Sequence, residues 1–110
     1  MRVWYRVRDL AAARAFYTDK LGFTETYHDD EGGWAKLERG GMQIALAEGE
    51  PEEAGVATID VDDAKAEAER LRSDDVEVGT VLEIHNEIRL LDVFDPDGNR
   101  LQLVEQLRSD

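Results

Sequence analysis

The sequence predicts an α+β fold of two repeated strand–helix–strand–strand–strand modules, and three observations carry that prediction. Period-two strand patterns and two amphipathic helices recur in the same order in each half of the 110 residues. An acid-rich stretch without periodicity, Glu48-Gly49-Glu50-Pro51-Glu52-Glu53-Ala54-Gly55, separates the halves. Each helix has one apolar stripe, while the strands have one apolar face and one mixed face, as Leu101 and Leu103 alternate with Arg100, Gln102 and Val104. The expected architecture is a curled mixed sheet around a cleft, with the helices on its outer face. The chain reads as one domain over 1–110, with a first module over about 1–47, a linker over 48–55 and a second module over about 56–110.

A strand is expected over 3–7, with Val3, Tyr5 and Val7 on one face and Arg2, Trp4 and Arg6 on the other. Asp9 is placed as the N-cap of a helix over 10–20, whose apolar stripe is Leu10, Ala13, Phe16, Tyr17 and Leu21 and which ends at Gly22. Strands follow over 23–28, 34–38 and 42–47, separated by turns over 29–33 and at Gly40-Gly41. The pattern then restarts with a strand over 56–61 and a helix capped by Asp62 or Asp63 and running to about Arg72. Three more strands are expected over 76–83, 88–94 and 100–107. Before the last of them, Asp95-Pro96-Asp97-Gly98-Asn99 is a turn: Pro96 presets φ, and Gly98 and Asn99 tolerate positive φ. Sliding the halves so that Val61 meets Val7 brings Asp63 onto Asp9, Ala66 onto Ala12 and Ile59 onto Tyr5.

The net charge of −13 argues against nucleic acid and against anionic membrane surfaces, both of which need a basic face. There is no cysteine, which excludes disulfides and thiolate metal sites. No stretch approaches the roughly 20 apolar residues of a membrane span, and Met1-Arg2-Val3-Trp4 enters strand-like sequence directly, so a cytoplasmic protein is expected. Only Lys20, Lys36 and Lys65 are lysines. A lysine-poor acidic surface fits either a salt-rich cytoplasm or an ordinary acidic protein. Glycine-rich phosphate loops and nucleophile elbows are absent, and the two serines, Ser73 and Ser109, lie in polar stretches.

Two segments carry a family resemblance. Val7-Arg8-Asp9-Leu10 followed by Phe16-Tyr17-Thr18-Asp19-Lys20-Leu21-Gly22-Phe23, and the closing Asp95-Pro96-Asp97-Gly98 turn, resemble the vicinal oxygen chelate superfamily. This group includes glyoxalase I, extradiol dioxygenases and bleomycin-resistance proteins. The resemblance implies a cleft into which four strands each turn one metal ligand, usually histidines and glutamates. Carried over, those positions fall on Arg2, Ala45, Val56 and Gln102. None is a histidine or a carboxylate, and glutamine supplies one neutral oxygen. The expectation is therefore no metal and no cofactor. The two histidines, His28 beside Asp29, Asp30 and Glu31, and His85 between Glu83 and Glu87, read as solvated turn residues.

By alternation, the cleft-facing residues also include Lys36, Glu38, Gln43, Ala47, Asp60, Leu90 and Asp92. From the cleft-facing set, the candidate ligand-binding residues are Arg2, Trp4, Arg6, Trp34, Thr58, Phe94 and Gln102, with aromatic walls and a few polar groups. The guanidiniums need an anionic partner, either Asp60 or Asp92 from within or a ligand carboxylate. No catalytic residue is identified; Glu38, Asp60 and Asp92 are available for acid–base work. The expected function is binding of a small, planar or partly aromatic molecule, as in the bleomycin-resistance branch. The alternatives are a glyoxalase-type lyase, isomerase or dioxygenase, and a structural or regulatory dimer whose cleft is filled by side chains. Homodimerisation is implied by the resemblance and by the apolar sheet faces.

Overall fold

A computed structural model describes residues 2–107. The elements in order are β1 (Arg2–Val7), α1 (Leu10–Asp19), β2 (Thr24–Asp29), β3 (Trp34–Arg39), β4 (Met42–Glu48), β5 (Ala57–Asp60), α2 (Ala64–Ser73), β6 (Glu77–Val78), β7 (Leu82–Ile84), β8 (Ile88–Phe94) and β9 (Arg100–Gln106). The first sheet has the order β1-β4-β3-β2, and the second β5-β9-β8-β6 with β7 also paired to β8. In each sheet the strand before the helix runs parallel to the last strand of its module, β1 to β4 and β5 to β9. The other pairs are antiparallel. The sheets are mixed and open. Among the described residues, no helix is long and apolar enough to cross a membrane.

The internal repeat has a hydrogen-bonding basis. Asp9 Oδ1 caps α1 by accepting from the Ala12 N–H at 3.0 Å, and Asp63 Oδ1 caps α2 through Ala66 at 3.0 Å. A second acid completes each cap. Glu48 at the end of β4 accepts from the Leu10 N–H at 3.2 Å, and Glu105 on β9 accepts from the Ala64 N–H at 2.9 Å. Two of the orphan donors at each helix start are thus satisfied by carboxylates.

One continuous apolar core joins the modules, built from Val3, Tyr5, Leu10, Tyr17, Leu37, Ile44, Ile59, Leu71, Leu91, Leu101 and their neighbours. The modules meet along their helix-covered sides. Tyr5 donates from its hydroxyl to the Arg100 carbonyl at 2.6 Å and accepts from the Ala57 N–H at 2.9 Å, which ties β1 to the second module. The Tyr17 hydroxyl donates to Asp95 Oδ2 at 2.7 Å. Lys20 donates to the Asp74 carbonyl, Arg70 to the Lys20 carbonyl, and Arg39 pairs with Glu67.

The turn after β8 serves this junction. Asp95 is 4 % exposed, and besides Tyr17 it accepts from the backbone N–H groups of Asp97 and Asn99 and from Asn99 Nδ2. Asn99 Nδ2 also donates to the Arg6 carbonyl at 3.0 Å. Of the two residues expected to tolerate positive φ, Gly98 adopts it at +85° and Asn99 does not. Asn99 instead spends its amide on the buried acid.

The strand expected over 76–83 is corrected to two short strands, β6 and β7. Gly79, Thr80 and Val81 lie between them, outside either strand. The Gly79 N–H still reaches the Asp92 carbonyl of β8, but the Gly79 carbonyl accepts from Arg72 instead, and β6 ends there.

Candidate functional site

Three rows of side chains cross the open face of the first sheet. In one row Tyr27, Lys36, Ala45 and Trp4 are successive cross-strand partners. In the next, Asp29, Trp34, Ala47 and Arg6 are aligned the same way. Glu38 and Gln43 align in the third. Small Ala45 and Ala47 between the indoles leave room for the rings to tilt together. Trp4 and Trp34 lie with centroids 5.6 Å apart, and Tyr27 lies 5.0 Å from Trp34 on its other side. Trp4 is 50 % and Tyr27 47 % exposed, so two members of the array meet solvent.

Two cations flank this aromatic array. Lys36 Nζ stands 5.5 Å from the Trp34 ring centroid and 5.7 Å from that of Tyr27, within cation–π range. Arg6, at the Trp4 end, meets Glu52 Oε1 at 3.6 Å. The internal anion near Arg6 is therefore Glu52, from the segment between modules, rather than Asp60 or Asp92. Asp92 is engaged elsewhere, accepting from Gln102 Nε2 at 3.2 Å and lying 3.5 Å from Arg100. A hollow of about 250 Å³ opens between Trp4, Arg6 and Ala47 on the sheet and Glu52, Glu53 and Ala54 on the inter-module segment. A second hollow of about 250 Å³ adjoins it, between the same segment and the turn at Gly98, Asn99 and Arg100.

The expected site residues fall into two groups. Trp4, Arg6 and Trp34 share the open face of the first sheet. Thr58 and Gln102 are cross-strand partners on the second, and Phe94 opposes Arg100. Among the described residues, no hydrogen bond or ring contact joins the two groups. The side chain of Arg2, expected in the site, lies outside what the structure describes; its backbone pairs with Gln43.

Tyr27 was not expected at this face. Alternation from buried Phe23 assigns it to the helix-covered side, together with Glu25. A bulge between Glu25 and Tyr27 inserts one extra residue, so Glu25 faces Arg14 of α1 while Tyr27 swings to the open face. The signal in sequence is faint: polar Thr26 separates an acid from an aromatic residue in an otherwise regular strand.

Two of the positions on which the resemblance puts metal ligands, Ala45 and Gln102, hold equivalent places in the two sheets, since Ala45 opposes Trp4 as Gln102 opposes Thr58. Ala45 is fully buried and offers a methyl group, Val56 an isopropyl group, and Gln102 one amide oxygen while its nitrogen is held by Asp92. That donor set does not fit a divalent cation. Among the described residues, no group of three or more His, Asp or Glu side chains is arranged to hold a metal ion. His28 meets Asp30 at 3.0 Å. His85 and Asn86 have φ of 52° and 56° as the central pair of the β7–β8 hairpin, closed by the Glu87 N–H on the Ile84 carbonyl.

Residues 2–103 match the family model described as Glyoxalase/Bleomycin resistance protein/Dioxygenase superfamily. No curated protein matches the chain. Among solved structures, it is similar to a member of that superfamily from Sphaerobacter thermophilus at TM-score 0.81 and 22% identity, covering 96% of this chain and 94% of the other. It is also similar to lactoylglutathione lyase from Agrobacterium tumefaciens at TM-score 0.77 and 20% identity, covering 96% and 91%. An antibiotic binding protein from a Streptomyces species gives TM-score 0.74 and 22% identity, covering 94% and 93%. At these identities the likeness is one of fold.

Proposed function

Since the chain belongs to the glyoxalase/bleomycin resistance protein/dioxygenase superfamily, we propose that it is a metal-free member that binds a small planar, partly aromatic molecule. The observation that carries this reading is the tilted array of Tyr27, Trp34 and Trp4, half open to solvent over two alanines. Aromatic faces presented in this way favour flat ligands, since stacking adds about 1 kcal/mol per ring to the area buried. The likeness to an antibiotic binding protein is in keeping with it. Chemistry of the glyoxalase type is disfavoured because Ala45, Val56 and Gln102 occupy positions where a Lewis acid would need donors. The reading includes a homodimer, in which the exposed Leu82 and Ile84 find cover.

A library of planar small molecules screened by tryptophan emission tests the reading. The expected result is saturable quenching or a spectral shift by a subset of planar compounds, lost in Trp4→Ala or Trp34→Ala. In parallel, incubation with Zn²⁺, Ni²⁺, Mn²⁺ or Fe²⁺ followed by desalting is expected to leave no stoichiometric metal. A flat response across the library, or one metal ion retained per chain, overturns the proposal.

A further inference from the structure

Charges at the two ends of the aromatic array select among planar ligands: Lys36 stands over Trp34 and Tyr27, and the hollow beside Trp4 is lined by Arg6 with Glu52 and Glu53. A cation–π position over the aromatic array is already taken by Lys36, whose ammonium faces Trp34 and Tyr27 and has no ion-pair partner among the described residues. A cationic ligand stacking there meets a like charge in the place it would occupy. At the other end of the array, the guanidinium of Arg6 has one ion-pair partner among the described residues, Glu52, whose Oε1 lies 3.6 Å from Nε, beyond hydrogen-bond distance. Both side chains are more than half exposed, at 51% and 69%. A single-ended, solvated pair of this kind is weak and readily exchanged. A ligand carboxylate meeting the guanidinium fork with two parallel hydrogen bonds is the better partner. Gly49 keeps the fork clear, since a β-carbon there would stand 3.0 Å from Arg6 Nη1.

We propose that the hollow between β1 and the inter-module segment takes a planar aromatic carboxylate. Its ring lies against Trp4, and its carboxylate replaces Glu52 on Arg6. Glu52 is then an internal competitor for the Arg6 guanidinium, and it turns away to solvent when the ligand enters the hollow. This inference rests on the ligand-binding reading above and adds the charge of the ligand and the residue that it displaces.

Calorimetric titration with naphthoate, naphthamide and naphthylmethylammonium tests it, with amide and indole NMR shifts locating the site. Naphthoate is expected to bind best and to shift the Trp4 indole signal. Arg6→Met, which keeps the length of the side chain, is expected to weaken naphthoate about tenfold and leave naphthamide unchanged. Glu52→Gln is expected to tighten naphthoate about threefold by removing the competitor. Glu50→Gln removes the same charge from the same segment, but its partner is Arg8, so no change is expected there. Equal tightening by both glutamine variants points to net charge alone and overturns the displacement. Binding of naphthamide or the ammonium probe without naphthoate overturns the anion assignment and leaves the ligand-binding reading standing. Failure of all three probes overturns the anion assignment, and the wider library screen then decides the parent reading separately.

Discussion

Tyr17 and Asp95 show how one buried pair serves two parts of the chain. The Tyr17 hydroxyl is one of four donors to the Asp95 carboxylate, and the contact spans the junction between modules. Burial pushes the Tyr17 phenol well above its ordinary value, and the neighbouring Asp95 charge raises it further. Burial likewise lifts Tyr5, to about 12. An unfolded tyrosine loses its proton near pH 10, before the folded one does. The stabilisation is therefore complete below about pH 10 and is lost as pH rises through about 12. Urea unfolding between pH 8 and 12 is expected to show a steep alkaline decline. Tyr17→Phe, which costs about 1 kcal/mol at neutral pH through the lost hydrogen bond, is expected to make that decline shallower. An equal slope in the variant would remove Tyr17 from the explanation. The motif residues Phe16-Tyr17 and Asp95 to Asn99 thus have a structural reason to be present that is independent of any ligand.

Among the elements, β2 decides the composition of the candidate site. Its bulge turns Tyr27 away from α1, while Glu25 stays to form a bidentate pair with Arg14 of that helix. Exposed Tyr27 adds little to stability but shields one face of Trp34. Tyr27→Ser is expected to change unfolding free energy by at most about 1 kcal/mol, the range of cross-strand pairs. Trp34 emission, read in a Trp4→Phe background, is expected to shift to the red as the indole gains water. An unchanged spectrum would mean that Tyr27 does not cover Trp34. The other departure from regular patterning, the split of β6 from β7, has a similar origin. The residues over 76–83 read as one strand by alternation, yet Gly79 is held by Arg72 of α2 and by Asp92 of β8. Both departures arise from contacts between different elements, Glu25 of β2 with Arg14 of α1 and Gly79 with Arg72 of α2, which alternation within one strand does not contain.

For the molecule as a whole, charge is the dominant variable. With 26 acids against 13 basic residues, the surface repels itself at low salt. The Debye length falls from about 10 Å at 0.1 M to about 3 Å at 1 M, which screens that repulsion. Several bridges between modules and to the linker are exposed ion pairs, such as Arg8 with Glu50 and Arg6 with Glu52, and lose little when screened. The melting temperature is expected to rise between low and molar KCl. A flat or falling trend would show that the ion pairs outweigh the net repulsion.

The strand–helix–strand course of each module, the cap at Asp9, a second cap at Asp62 or Asp63, and the alternation that puts Trp4, Arg6 and Trp34 on one face of the first sheet were legible in the sequence, while the split of the strand expected over 76–83 was not. They depend on period, capping chemistry and turn residues, which act over a few neighbouring positions. The tertiary structure decided what stands beside those residues: Tyr27 reached the face through a bulge, Glu52 met Arg6 from the segment between modules, and Glu48 and Glu105 joined the caps from distant strands. These partners lie apart along the chain and are brought together by the packing of strands and helices. Side-chain periodicity within one element records which face a residue takes, and only the assembled sheets determine what it meets there.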